Sequence, residues 1–168
     1  MLPDTVELRP EEIEGAIYIG WRRAFDAYTR GRTPNDAHSD DIEGTYFLGA
    51  VGEKAFAKLT GLYWPGTWTP DKDRGDVGGY DVKARGNPDG GLIVRPKMAD
   101  TLRLALMVPL ARGDLRRWRC PGTFIAGDGK RDEFRATLDP KKPPAWEVPQ
   151  ECLVRLAFAG PLAWRIVA

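Results

Sequence analysis

The sequence contains only two cysteines and no long hydrophobic run, and these absences exclude several classes of protein. Cys120 and Cys152 lie far apart, so a disulfide framework and a cysteine-held zinc or iron–sulfur centre are both excluded. We expect two buried, reduced thiols instead. The longest apolar stretch, Leu104 to Leu110, is far too short to cross a bilayer, so no membrane partner is expected.

Basic residues are also missing from the first positions, where a signal peptide would carry them. Asp4, Glu7 and Glu11 stand there instead, which predicts a soluble, cytoplasmic protein. The total charge is close to balanced, with 25 lysines and arginines against 24 acidic residues. A balanced total can hide a basic stripe beside an acidic site, so it argues neither for nor against nucleic acid.

No internal repeat, low-complexity tract or linker divides the chain, and 168 residues with 42% hydrophobic content predict one domain. Pro10 followed by two glutamates predicts the start of a helix that runs to about Arg30. Its expected apolar face consists of eight residues at helical spacing: Ile13, Ala16, Ile17, Gly20, Trp21, Ala24, Phe25 and Tyr28. A second helix is predicted from Glu43 to Thr60, with Gly61 ending it.

Short β-prone runs follow from Leu62 onwards and indicate an antiparallel meander: LYW, TWT, YDVKA, GLIVR and TLRLALMV. Further on, TFIA predicts a strand, GKRDEFRA a short helix, and the apolar tail a segment that closes the sheet or packs on it. Helices first and sheet second indicate an α/β protein.

The stretch GDVGGYDVKAR, residues 75–85, combines the residue types of a metal site. Alternate side chains of a strand share a face, so Asp81 and Lys83 point together while Val82 turns to the core. A Gly-Gly turn can fold Asp76 back beside Asp81.

Two adjacent carboxylates repel each other unless a cation lies between them, and Mg²⁺ prefers such oxygen ligands. Lys83 could then polarise a water or neutralise charge on a phosphate, which is the chemistry of phosphodiester hydrolysis. The pattern alone should arise by chance about once in a chain of this size. A solvated hairpin with a surface ion pair therefore stays open as the alternative.

Three segments in order, GAVGEKAFAKLTG, DVGGYDVKAR and GLIVRP, resemble the PD-(D/E)XK nuclease superfamily, which includes restriction endonucleases, phage lambda exonuclease and Holliday-junction resolvases. The chain is most similar to uncharacterised bacteriophage-type members. The resemblance covers His38 to Leu153. It implies a restriction-endonuclease-like central mixed β-sheet flanked by helices, with residues 36–153 as the core and residues 1–35 as an N-terminal helical extension.

The resemblance also implies a role for each matching residue. Asp76 and Asp81 correspond to the metal-binding acids, Lys83 to the catalytic lysine and Glu53 to the helical glutamate that completes the site. The carbonyl of Val82 is an expected further ligand. Asp81 stands where glutamate is common, and Gly75-Asp76 replaces the proline-aspartate pair. The implied protein is an Mg²⁺- or Mn²⁺-dependent nuclease that processes phage or prophage DNA in the bacterial cytoplasm.

A second group of residues is a candidate surface for DNA. The segment RGDLRRWRC interleaves arginines with a tryptophan, and surface arginines around one anchoring tryptophan explain it equally well. The predicted DNA-contacting residues are Arg85, Arg112, Arg116, Arg117, Trp118 and Arg119. His38, in the polar loop 31–41, is either without a task or a supporting residue. A homo-oligomer, a catalytically silent nucleic-acid-binding protein and an interaction module unrelated to nucleic acid stay open.

Overall fold

A computed structural model describes residues 4–31, 42–67, 75–137, 144–158 and 164–166, which form a mixed α/β architecture. Two long helices precede most of the strands, and short 3-10 turns cover Asp132–Phe134 and Gln150–Cys152. The helices are α1 (Pro10–Thr29), α2 (Ile42–Thr60) and α3 (Ala126–Gly129). The strands are β1 (Thr5–Glu7), β2 (Tyr80–Ala84), β3 (Leu92–Val94), β4 (Arg103–Pro109), β5 (Arg117–Ile125), β6 (Arg135–Ala136), β7 (Ala145–Val148), β8 (Leu156–Phe158) and β9 (Trp164–Ile166).

The strands of the described residues form three sheets. The largest has the order β1-β5-β4-β2, a second has the order β3-β7-β6, and β8 pairs with β9. In the largest sheet β2 runs parallel to β4, whereas β4 and β1 are antiparallel to β5. The predicted antiparallel meander is therefore wrong, because β3 leaves the main sheet and pairs with β7 instead.

Strand β4 is buried on both faces and separates two hydrophobic clusters. Ala105 and Met107 face the cluster formed with α1 and α2. Leu104, Leu106 and Val108 face the cluster formed with the second sheet. A strand covered on both sides is apolar at every position, which explains the uninterrupted run LALMV.

Helix α1 begins at Pro10, as predicted, and Glu12 accepts a hydrogen bond from the backbone N–H of Arg9 at 2.8 Å. Its buried residues are all small: Ala16, Gly20, Ala24 and Ala27. A side chain at Gly20 would lie 2.8 Å from the backbone oxygen of Tyr46, so glycine lets the two helices approach closely.

The large aromatic residues of α1 lie on the opposite face from the prediction. Trp21, Phe25 and Tyr28 were expected in the core, but 45%, 52% and 53% of their surfaces are exposed. The close approach of α2 at Gly20 leaves little room for bulky side chains on that face of α1, so the large rings remain outside.

Helix α2 confirms its predicted boundaries within one residue and buries Val51, Ala55 and Phe56. The positive φ of 69° at Gly61 is typical of a glycine that ends a helix. A side chain at Gly52 would come within 2.5 Å of the Ala84 Cβ atom, so α2 lies directly against β2 at this glycine.

Several shorter predictions can also be compared with the structure. Residues 62–67 are not in a strand, and Trp68 and Thr69 of the predicted run TWT lie outside the described residues. Thr123, Phe124 and Ile125 of TFIA lie in β5 as expected, but Ala126 begins α3. The predicted helix in GKRDEFRA is only the 3-10 turn at Asp132–Phe134 followed by β6. The apolar tail forms the separate pair β8–β9, and Leu156 packs against the cluster beneath the helices.

Both cysteines are free, as predicted, but only one is buried. Burial raises the pKa of the Cys120 thiol to about 12. Cys152 is exposed because the 3-10 turn at Gln150–Cys152 lies at the surface, so the prediction of two buried thiols was wrong for this residue. None of the helices in the described ranges is long and apolar enough to cross a membrane.

Candidate metal centre

A tight glycine turn positions Asp76 against the edge of the main sheet. Gly78 and Gly79 have φ values of 55° and 83°, and positive values at both central positions are typical of a type I′ hairpin turn. The Tyr80 N–H donates to the Val77 carbonyl at 2.9 Å, and the Asp76 N–H donates to the Tyr80 carbonyl at 2.7 Å. The Gly-Gly pair thus folds Asp76 back along β2, as the sequence predicted.

Asp76 then contacts the open edge of β2, the last strand of the main sheet among the described residues. The backbone N–H of Val82 donates to Asp76 Oδ2 at 2.9 Å. The N–H and C=O groups of one strand residue point to the same edge, so the Val82 carbonyl also faces the Asp76 side. This is the edge at which the expected carbonyl ligand must lie.

Asp81 and Lys83 share one face of β2, and Val82 lies on the other. Val82 is 5% exposed and belongs to the hydrophobic cluster beneath the helices. The Lys83 Nζ lies 2.7 Å from Asp81 Oδ1, and both side chains are partly exposed. The alternation predicted from the sequence is therefore present, and the lysine is directly paired with the second aspartate.

Glu53 reaches the same region from α2 and is buried, with 4% of its surface exposed. Two cationic or polar groups engage its carboxylate. The Arg23 guanidinium donates to Oε1 at 2.5 Å and to Oε2 at 2.8 Å, in the bidentate geometry that suits a carboxylate. The indole N–H of Trp64 donates to Oε2 at 2.9 Å.

The three carboxyl groups lie close enough to change the ionisation of Asp76. Burial, the charge of Glu53, and the charge and hydrogen bond of Asp81 together raise the pKa of Asp76 to about 8, although the hydrogen bond from the Val82 N–H opposes the shift. Asp76 therefore lies near both Glu53 on α2 and Asp81 on β2. At neutral pH the Asp76 carboxyl keeps its proton, while the charges of Glu53 and Asp81 are paired with Arg23 and Lys83.

The donor chemistry fits Mg²⁺, but the side chains are not yet arranged as ligands. Within the ranges that the structure describes, no group of three histidine, cysteine or acidic residues is arranged so that it could hold a metal ion. Arg23 occupies both oxygens of Glu53, and Lys83 occupies one oxygen of Asp81. The residue types suit a hard cation, and to bind one Glu53 would have to exchange at least one arginine hydrogen bond for it.

Three of the predicted DNA-contacting arginines, Arg112, Arg116 and Arg117, lie away from this pocket. The Leu110 N–H donates to the Arg117 carbonyl, and Leu110 is six residues beyond Leu104, the neighbour of Asp81 on β4. At the rise of a strand, that separation is about 20 Å. Arg116 pairs with Glu7 and Arg117 with Asp114, so acidic partners offset both exposed charges, and Arg112 is exposed nearby.

Trp118 does not have the environment predicted for it. The side chain is fully buried in the cluster beneath the helices, and its indole N–H donates to the Leu115 carbonyl at 2.9 Å. An aromatic ring covered on both faces offers no surface on which a base could stack. The expected stacking role is therefore corrected to that of a core residue.

The two remaining arginines of the predicted surface contact residues of β7 and of the 3-10 turn that follows it. Arg85 lies 3.6 Å from Glu147, and Arg119 donates to Gln150 Oε1 at 2.7 Å. The Gln150 amide in turn donates to the carbonyls of Pro88 and Gly90. Of the six predicted residues, Arg85 is closest in sequence to the carboxylate pocket, two positions after Lys83. His38 lies outside the described residues, so its supporting role stays a prediction.

Arg23 is the pocket residue that the sequence did not indicate. The available signal was its position among the small residues of α1, since Gly20, Ala24 and Ala27 face α2. An arginine beside such a stripe needs an acidic partner on the facing helix. Glu53 was already singled out there as an acidic residue among small ones.

Comparison of the chain with protein-family models, with curated proteins and with solved structures finds no match. The resemblance to the PD-(D/E)XK superfamily therefore stays an expectation from the sequence motifs.

Proposed function

We propose that this protein is an Mg²⁺- or Mn²⁺-dependent nuclease that hydrolyses phosphodiester bonds of DNA. The main observation in support is that Asp76 lies near both Glu53 and Asp81, with Lys83 paired to Asp81 at 2.7 Å. The sequence motifs imply metal-binding acids next to a catalytic lysine, and a carboxylate pocket with an adjacent lysine agrees with those roles. From the resemblance we further propose that the substrate is phage or prophage DNA and that the protein acts in the bacterial cytoplasm.

The fold supports a restriction-endonuclease-like arrangement only in its general features. A four-stranded mixed sheet has two helices packed on one face, and its edge strand carries Asp81 and Lys83. The other face is covered by the second sheet. We propose that the main sheet with α1 and α2 is the catalytic unit.

Each residue of the pocket has a definite task in this proposal. Glu53, Asp76, Asp81 and the Val82 carbonyl would hold the cation, which lowers the pKa of water and offsets negative charge on the phosphate. The Val82 N–H holds Asp76 in place, and Asp76 must release its proton at a pKa near 8 before it can serve as an anionic ligand. Lys83 supplies a positive charge beside the phosphate and a donor that orients the attacking water.

A pair of substitutions tests the assignment. Asp81→Asn and Lys83→Met should each lower the rate of DNA cleavage by about 100-fold or more, since each removes a charge from the reacting centre. Lys97→Met is the matched control, because Lys97 is exposed on a turn, and it should cleave at the wild-type rate. Circular dichroism would confirm that the variants fold. Cleavage that survives in both Asp81→Asn and Lys83→Met would contradict the assignment.

The contact between Arg23 and Glu53 favours a second candidate function. An arginine that occupies both oxygens of a metal ligand already supplies the cation that the pocket needs, which suits a protein that binds nucleic acid without cutting it. Tight DNA binding in EDTA by a wild-type protein that never nicks DNA in Mg²⁺ or Mn²⁺ would select this candidate.

A further inference from the structure

Arg23 is built into the carboxylate pocket by three contacts of its own. The terminal nitrogens hold Glu53, and Nε donates to the Thr67 carbonyl at 2.9 Å. The side chains of Arg23 and Glu53 are 13% and 6% exposed. All three nitrogens of the guanidinium therefore donate a hydrogen bond, and little of the side chain is exposed to water.

The charge of Arg23 acts on more than its direct partner. Hydrogen bonding and attraction to Glu53, and attraction to Asp76, raise the pKa of Arg23 despite its burial. The same two carboxylates would hold a divalent cation. A fixed positive charge beside such a cation repels it, and the two cations compete for the same oxygens of Glu53.

The pair is also costly as a purely structural device. A buried ion pair is often no more stabilising than packed apolar side chains, because both charges lose their hydration. Gly20 brings α1 against α2 only three residues before Arg23, so the helix approach delivers the guanidinium to the pocket. A requirement for positive charge in the metal-free pocket accounts for this arrangement.

We propose that Arg23 is the resident counter-cation of the pocket, which a divalent ion must displace from Glu53, so that the Arg23–Glu53 pair sets the affinity for metal. The proposal rests on the function proposed above. Arg23 is a positioning residue here, because it acts through Glu53. In the metal-free protein it holds the pocket together, and in the metal-bound protein it limits how tightly the ion binds.

The test compares Arg23→Gln with Arg23→Lys and the wild type. Thermal unfolding is measured in EDTA and then in Mn²⁺, and calorimetric titration with Mn²⁺ gives the affinity. Arg23→Gln should unfold at a lower temperature in EDTA, gain more than the wild type from Mn²⁺, and bind Mn²⁺ about tenfold more tightly. Arg23→Lys keeps the charge but loses the bidentate contact with Glu53, so its Mn²⁺ affinity should lie between those of the wild type and Arg23→Gln.

The possible outcomes separate this proposal from the nuclease assignment. Mn²⁺ binding by both proteins that is tighter in Arg23→Gln than in the wild type would support the displacement, as would a variant that folds only in Mn²⁺. Equal or weaker binding by Arg23→Gln, or a variant that stays unfolded in Mn²⁺, would overturn the role of Arg23 while a wild-type metal site stands. Absence of Mn²⁺ binding in all three proteins would overturn both proposals.

Discussion

The charge of the pocket depends most strongly on the carboxyl group of Asp76. It is buried at the edge of β2, accepts the Val82 N–H and lies near two other carboxyl groups. Its pKa of about 8 means that the metal-free protein holds a proton there at neutral pH, which removes one of three negative charges. Binding of a divalent cation should therefore release a proton from this residue.

The raised pKa predicts how stability depends on pH in the metal-free protein. The folded-state pKa of about 8 lies above the ordinary value of 3.8, so the folded protein holds the proton more tightly than the unfolded chain. This contribution is complete below about pH 4 and is lost as the pH rises through about 8. The free energy of unfolding should fall from pH 5 to pH 8, relative to Asp76→Asn, by up to about 1.4 kcal/mol per pH unit.

Urea denaturation of both proteins in EDTA at several pH values measures this difference, since the other titrating groups are common to both. Parallel stability curves for the wild type and Asp76→Asn would show that the Asp76 carboxyl is not perturbed by its neighbours.

At the scale of single residues, the sequence allowed us to predict the acidic residues and the lysine of the pocket, but not the side chains that contact them. The strand alternation around Val82 and the Gly-Gly turn are local properties, so Asp76, Asp81 and Lys83 could be placed from the chain alone. The contact of Arg23 with Glu53 joins residues 30 positions apart and depends on the crossing of two helices. The burial of Trp118 likewise depends on packing that a charged segment does not reveal.

The contact between α2 and β2 is the element-scale feature that brings Glu53 to the carboxylate pocket. Gly52, next to Glu53, allows the helix to lie against Ala84 of the edge strand. Gly49 is a control position on the same helix, because a side chain added there would meet nothing within 4 Å. These two glycines separate the effect of close packing from that of helix propensity.

Gly52→Ala should destabilise the protein by about 1–3 kcal/mol, because the added methyl group overlaps the Ala84 Cβ atom and forces the helix away from the sheet. Gly49→Ala should instead be neutral or stabilise by up to about 1 kcal/mol, since alanine is the better helix former. Chemical denaturation measures both, and Gly52→Ala should also bind Mn²⁺ more weakly. A Gly52→Ala protein as stable as Gly49→Ala would show that the helix and strand are not in close contact.

The two long helices could be predicted because capping residues and apolar spacing are local signals. The strand pairing could not, because a parallel connection from β2 to β4 depends on β3 joining another sheet. The exposed rings of α1 show the same limit, since helical spacing does not tell which of two apolar faces meets the core.

Across the whole molecule, the pocket lies where α1, α2 and the edge of the main sheet meet. Each contributes a part: Arg23 from α1, Glu53 from α2, and the aspartates and lysine from the hairpin and β2. Leu8, Ala16 and Phe56 belong to one hydrophobic cluster with Val82, so α1 is packed into the same core as the site. A site assembled from separate elements should be lost on unfolding and stabilised by its ligand.

The most direct test of the account is calorimetric titration of Mn²⁺ into the wild type and Asp81→Asn at pH 8, where much of Asp76 has lost its proton. We expect saturable binding by the wild type, with proton release that increases as the pH is lowered towards 7, and at least about tenfold weaker binding by Asp81→Asn. Absence of Mn²⁺ binding by the wild type, or equal binding by both proteins, would contradict the assignment of Glu53, Asp76 and Asp81 as a metal centre.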